Sequence, residues 1–323
     1  MGKGVIPDSG NTSDTNVATA RSQALKNADV IILLGARLNW ILHYGASPRF
    51  NDQVKIIQVD ISPEDLGDNR ADPALAILGD VSLVCEQLAR GLRDWKAPKL
   101  PPSLMVSSKR NIVRAQNLEN NLTLPLKYQA VYGIIRDLLA PHEPLFISEG
   151  ANTMDISRSS FLLQCPRSRL DAGTNATMGL GMGYAIAASL THPERLIIGI
   201  LGDSAFGFSA IEVETAVRCQ LSMVIYIMNN SGVYHGVDKS LYIVPRVAVT
   251  AEQLPPIALS LETRYDTLAE SLGANGRLVK TPKEIKNATQ EAIEKGGVWV
   301  INVIIDNGQE KKLEFGWMNK SKM

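Results

Sequence analysis

Residues Leu196–Val233 read LIIGILGDSAFGFSAIEVETAVRCQLSMVIYIMNNSGV. Two apolar runs, Leu196–Leu201 and Met223–Met228, have the length and composition of buried strands, and the stretch between them is helical in pattern. The first run ends in Gly202-Asp203-Ser204 and the second in Asn229-Asn230. A strand–helix–strand crossover places its strands parallel, so both carboxyl ends lie on one edge of the sheet and Asp203 and Asn230 are predicted to converge there. A carboxylate and an amide oxygen, joined by waters or backbone carbonyls, make a hard oxygen site suited to magnesium, an ion that usually holds phosphates. Ser209 and Glu212 have S-x-x-E spacing, which predicts a capping box on a helix whose N-terminus favours a nearby anion.

Working outward, the same alternation of strand and helix continues on both sides. Tyr128–Leu139 has helical periodicity, Leu145–Ser148 is a predicted strand, and Glu149-Gly150-Ala151-Asn152 is a turn offering backbone N–H groups at the strand's carboxyl edge. Gly179, Gly181 and Gly183 alternate in a small-residue run that lets a helix start lie close to a strand or ring. Downstream, Ile257–Leu272 is predicted helical, and Thr281-Pro282-Lys283-Glu284 carries N-cap, N1-proline and N3-acid signals for a helix ending at Gly296-Gly297. Val298–Ile305 is a last buried strand. Upstream, a helix over Val17–Asn27, a strand over Val30–Leu34 ending in Gly35-Ala36-Arg37, and a strand over Val54–Val59 ending in Asp60 form a nucleotide half-site pattern without the full G-x-G-x-x-G. The expectation is an α/β protein of two doubly wound parallel-sheet domains: 1–95, a proline-bearing linker with a polar helical stretch at 96–125, a second domain at 126–310, and a tail at 311–323.

The chain has 323 residues, 45% hydrophobic, with 33 basic and 33 acidic side chains, which leaves no basic excess to point to nucleic acid. No apolar run is long enough to cross a membrane. Cys85, Cys165 and Cys219 are widely spaced and odd in number, so they are expected as reduced core or near-core thiols, neither a disulfide framework nor a zinc site. His235 is expected as a solvated loop histidine.

The blocks Ser148–Asp155 (SEGANTMD), Arg169–Thr174 (RLDAGT), Met178–Gly183 (MGLGMG), Gly202–Ser209 (GDSAFGFS) and Asn229-Asn230 together resemble the thiamine-diphosphate enzymes. Within that family they closely resemble one branch, that of 2-hydroxyacyl-CoA lyase and oxalyl-CoA decarboxylase. The resemblance implies thiamine diphosphate and Mg2+ as cofactors. Its metal ligands would be Asp203, Asn230 and the carbonyl of Gly232. Its cofactor-binding residues would be Tyr128, Ala151, Asn152, Thr153, Ala176, Met178, Asp203, Ser204, Ala205 and Asn230, with Met178 propping the cofactor into its bent form. Asn175 and Ala176 depart from the family's usual aromatic residue and glycine.

In the first domain the resemblance places an ADP-type nucleotide, or the ADP part of CoA, on Arg37, Asp60 and Asp80, while Arg158 would hold the acyl-CoA. It covers only a middle and a C-terminal domain, so the pyrimidine-binding domain and its cofactor-activating glutamate are expected to be absent, and no catalytic residue is assigned. The implied reaction cleaves a 2-hydroxyacyl-CoA to formyl-CoA and a shortened aldehyde, as in fatty acid alpha-oxidation. The alternatives are an oxalyl-CoA decarboxylase or a truncated, non-catalytic binding subunit. A homo-oligomer is expected from the family, and Ser321-Lys322-Met323 resembles a peroxisomal address.

Overall fold

The computed structural model describes residues 20–96, 98–173, 175–242 and 253–307. It divides into two compact units between Arg114 and Ala115, a point inside the segment expected as a linker. Its polar helical stretch is the long helix Pro102–Glu119.

In the first unit, helix α1 (Arg21–Asn27) precedes strand β1 (Val30–Leu34), followed by β2 (Lys55–Asp60), β3 (Ala76–Leu78) and helix α2 (Val81–Gly91). The strands form a three-stranded parallel sheet in the order β1-β2-β3. Parallel sheets are built to be covered on both faces. Here Leu33, Leu38, Phe50, Ile56 and Ala71 form the core on one face. On β1 the alternate residues Val30, Ile32 and Leu34 are exposed.

The second unit begins within the long helix, α3 (Pro102–Glu119), and continues with α4 (Tyr128–Leu139) and β4 (Leu145–Glu149). Next come α5 (Ala151–Ser160), β5 (Arg169–Asp171), α6 (Gly181–Thr191) and β6 (Ile197–Gly202), then α7 (Asp203–Gly207), α8 (Glu212–Arg218) and β7 (Met223–Asn229). The described part closes with α9 (Tyr265–Ser271), β8 (Asn275–Val279), α10 (Pro282–Lys295) and β9 (Val298–Ile304). All six strands are parallel, in the order β5-β4-β6-β7-β9-β8. From β4 the chain moves outward to β5 and then crosses back to β6, so the direction of winding reverses between β4 and β6. Ligands in open α/β sheets bind at such a reversal, outside the carboxyl ends of the strands.

β4, β6, β7 and β9 are buried along their whole length, and their side chains alternate between two cores. Phe146, Ile198, Tyr226 and Trp299 face α4 and α10 on one side. Leu145, Ile147, Ile225 and Val300 face α6 and α8 on the other. α10 forms where its caps predict: Thr281 Oγ1 accepts the Glu284 N–H, the Glu284 carboxylate accepts the Thr281 N–H, and the helix stops at Gly296 with φ of 63°.

Three expectations need correction. Ser209 and Glu212 make no capping box: the stretch breaks into α7 and α8, α8 starts after Ile211 without a side-chain cap, and Ser209 Oγ is buried without a partner. The helix expected over Ile257–Leu272 exists only at Tyr265–Ser271. Its first half instead pairs with the loop after β7, where the Val233 N–H donates to the Ile257 carbonyl and the Leu259 N–H to the Ser231 carbonyl. Those ladder-type bonds occupy the groups a helix would have used. The cysteines are not core residues either: Cys165 and Cys219 are exposed and Cys85 is half-buried, all three as free thiols.

Candidate active site

A cleft opens at the carboxyl ends of β4, β6 and β7. Its walls are Tyr128, Gly150–Thr153, Met178, Gly202–Ala205, Asn230 and Gly232–Tyr234. Of the ten residues expected to bind the cofactor, all but Ala176 line it. Ala176 belongs to the turn before α6 and has a φ of 51°, a left-handed conformation in which its side chain is strained. Gly150, Gly202, Val233 and Tyr234 also line it, although the sequence reading assigned none of them to the cofactor.

Asp203 and Asn230 meet as the crossover demands. The Gly232 N–H donates to Asp203 Oδ2 at 3.1 Å and to Asn230 Oδ1 at 3.2 Å, so both oxygens converge on one hydrogen. Asp203 Oδ1 accepts the Ser204 N–H. The Asn230 amide nitrogen donates to the Tyr234 carbonyl and approaches the Tyr128 hydroxyl at 3.4 Å. The sequence assigned Gly232 through its carbonyl; what the structure fixes between the two side chains is its amide.

Asp203 is 2% exposed, and burial pushes its carboxyl up to about 7 against the pull of the backbone N–H groups around it. A buried acid held by amides and no cationic side chain is short of one positive charge. The donor set is all oxygen with a single formal charge, which suits a hard divalent cation. Among the described residues no cluster of three His, Cys, Asp or Glu offers an alternative metal site.

The tip of β4 supplies the complementary half. Gly150 has a φ of 95°, open to glycine and hostile to other residues, and α5 begins after it without any side-chain cap. The first N–H groups of α5 are therefore available to an anion. Asn152, in that first turn, is 1% exposed, and both polar atoms of its side chain are buried without a hydrogen-bond partner. An unpaired buried amide lining a cleft is costly unless a polar ligand completes it. Together these residues fit a diphosphate bridged to a divalent cation.

One polar network holds the site from behind. Asn229 donates to the Thr263 carbonyl and to Asn302 Oδ1, while Asn302 donates to the Thr263 carbonyl and to Asp266. Asp266 is in turn gripped by Arg264. Asn229 Oδ1 also accepts the Ser231 N–H, so this network sets the loop that presents Asn230 and Gly232. The neighbouring Tyr265 ring packs edge-on against Phe206 of α7. None of this network carries a sequence signal beyond the Asn-Asn pair, because its members come from three separated segments.

The residues assigned to nucleotide or CoA lie elsewhere. Arg158 is ion-paired with Asp171 and Asp155 and does not line the cleft. In the first unit, Arg37 pairs with Asp65, Asp60 accepts the Ser62 N–H, and Asp80 caps α2 through the Ser82 and Leu83 amides.

Two family models match the chain: the central domain of thiamine pyrophosphate enzymes at residues 1–88 and their C-terminal TPP-binding domain at residues 149–303. Among curated proteins, the chain is similar over its whole length to the 2-hydroxyacyl-CoA lyase of Saccharomyces cerevisiae, at 46% identity, and to 2-hydroxyacyl-CoA lyase 1 of Homo sapiens, at 39%. It spans 57% of the length of each. Oxalyl-CoA decarboxylase of Escherichia coli K12 is 37% identical over 95% of the chain and 53% of that relative. Among solved structures, a thiamine diphosphate-dependent 4-hydroxybenzoylformate decarboxylase of Rhodococcus jostii RHA1 superposes with a TM-score of 0.68 at 20% identity. That match covers 89% of this chain and 51% of the other, a likeness of fold.

Proposed function

The chain belongs to the thiamine pyrophosphate enzyme family, and on that premise we propose that it serves a carbon–carbon lyase acting on 2-hydroxyacyl-CoA, with thiamine diphosphate anchored through Mg2+. The observation that carries the cofactor part is the meeting of Asp203 Oδ2 and Asn230 Oδ1 on one amide, in a cleft also lined by the unpaired side chain of Asn152. Asp203 and Asn230 would hold the cation. Asn152 and the opening amides of α5 would take the diphosphate oxygens. When bound, thiamine diphosphate supplies a carbon nucleophile and a sink for the electron pair released as the substrate's carbon–carbon bond breaks.

The chain's own part is orientation and charge. Met178 closes one wall with an apolar side chain, and Tyr128, fully buried, keeps its hydroxyl protonated beside Asn230. Asp203 is the one carboxylate among the cleft residues, and a cation would claim it. No acid–base residue is therefore assigned within the cleft. Preference for the 2-hydroxyacyl-CoA reaction over oxalyl-CoA decarboxylation is supported by the higher identity to the lyases.

Calorimetric titration of the chain with thiamine diphosphate tests the anchor. Saturable binding that depends on magnesium is expected, and heat of binding that is indifferent to magnesium would remove the proposal's basis. Supplying the remaining length of the relatives and assaying products tests the reaction: formyl-CoA with an aldehyde is expected, and carbon dioxide from oxalyl-CoA would indicate the decarboxylase instead. Nucleotide or CoA binding at Arg37, Asp60, Asp80 and Arg158, self-association, and a role in fatty acid alpha-oxidation are extensions of the same reading, supported by the family resemblance.

A further inference from the structure

The carboxylate of Glu149 has no part in the function just proposed, yet it is among the most completely engaged groups in the molecule. Glu149 ends β4 and is 1% exposed. Strand alternation puts it on the same face as Leu145 and Ile147, the face covered by Met182 and Ala185 of α6, where an apolar residue would be the ordinary occupant. Instead its two oxygens take three successive backbone amides. Oε1 accepts the Gly179 and Leu180 N–H groups, and Oε2 accepts the Gly181 N–H at 2.8 Å.

The residue at 181 is matched to this grip. A Cβ there would lie 2.5 Å from Glu149 Oε2 and 2.6 Å from a Leu201 methyl, so only glycine lets the amide approach. The carboxylate thus occupies the anion position at the start of α6 with the chain's own charge, leaving a bound phosphate to the uncapped start of α5.

What the grip fixes is the wall of the cleft. Met178, which lines it, directly precedes the three held amides, and Gly150, which also lines it, directly follows Glu149. One residue therefore ties the diphosphate side of the cleft to its apolar wall. We propose that Glu149 is a positioning residue for the cofactor: it sets the distance between the Met178 wall and the Gly150–Thr153 turn, and so the room left for the ring portion of thiamine diphosphate. This rests on the cofactor reading above.

The test uses the full chain and its Glu149→Gln variant, with Glu149→Asp as a second substitution that keeps the charge on a shorter arm. Two probes are titrated with magnesium present: thiamine diphosphate, and inorganic pyrophosphate, which needs only the cation and phosphate side. Glu149→Gln is expected to weaken thiamine diphosphate by about tenfold, the size of one lost charge-assisted hydrogen bond, with pyrophosphate affinity unchanged. A general loosening of the fold would weaken both. Equal loss for the two probes, or no loss for either, overturns the proposal.

Amide hydrogen exchange is read on the same samples without cofactor. Gly179 and Gly181 are expected to exchange at least about tenfold faster in either variant, with the Gly232 amide unaffected. Unchanged exchange at Gly179 and Gly181 also overturns it. A parent chain that binds pyrophosphate but not thiamine diphosphate, while exchange still reports the grip, sinks the cofactor reading and the positioning role with it.

Discussion

At Asp203 the requirements of binding and of folding pull in opposite directions. The carboxyl is pushed up to about 7 by burial, so at neutral pH and without a cation its protonated and ionised forms are comparably populated. Asp203→Asn removes that conflict while preserving shape and one acceptor oxygen. The variant is expected to melt within about 1 kcal/mol of the parent when no cofactor is present, because it loses an uncompensated buried acid along with a hydrogen bond. Its magnesium-dependent binding of thiamine diphosphate should fall by about 100-fold or more, since a neutral amide is a poor substitute for a carboxylate on a divalent cation. A thermal melt and a titration on one sample separate the two effects. Asp203 and Asn230 were legible from sequence because apolar runs ending in single polar residues leave little choice about where those residues go. Glu149 was not, since nothing in a Ser-Glu-Gly turn says whether the acid faces solvent or the start of α6.

Among the elements, the loop after β7 depends on α9 and β9 more than on its own residues. Asn302, fully buried in β9, joins Asp266, Thr263 and Asn229. Asn302→Ala would take one hydrogen bond each from the Asp266 carboxylate, the Asn229 amide and the Thr263 carbonyl and leave a cavity in a fully buried strand, and is expected to destabilise the chain by about 3 kcal/mol, measured by urea unfolding. The mis-assigned helix at Ile257–Leu272 belongs to the same lesson. Local periodicity favoured a helix, but residues 257–259 are recruited to hydrogen-bond the cation loop, a demand made by a partner distant in sequence.

A second strap crosses this region, where Glu262 accepts from both Lys280 and Lys239. The Lys280 hydrogen bond, aided by Lys239, holds the Glu262 carboxyl below the usual glutamate range. A depressed acid contributes stability that is present above its unfolded value and lost as pH falls through its folded value. The difference in urea midpoint between the parent and Glu262→Gln should therefore be widest near pH 6 to 7 and close as pH falls below about 4.

For the whole molecule, the two-unit plan and the all-parallel sheets were readable from the alternation of strands and helices, and the helix Pro102–Glu119 from the polar helical pattern that follows the linker's first prolines. The address at Ser321-Lys322-Met323 lies outside the described residues and stands as a proposal from its likeness to S-K-L. A fluorescent protein extended by residues 307–323 is expected to collect in peroxisomes, and the same fusion without the last three residues to remain diffuse; identical distributions would dispose of the address. The order β5-β4-β6-β7-β9-β8 has a consequence for biogenesis. β9 is the last strand of the described chain, yet it lies between β7 and β8 and bonds to both. Until Val298–Ile304 leaves the ribosome, Met223–Asn229 presents an open hydrogen-bonding edge, and β8 has nothing to dock on. The tip that bears Asn230 is thus among the last parts the nascent chain can finish, and a stalled translation product would expose a sticky strand beside an unformed cation loop.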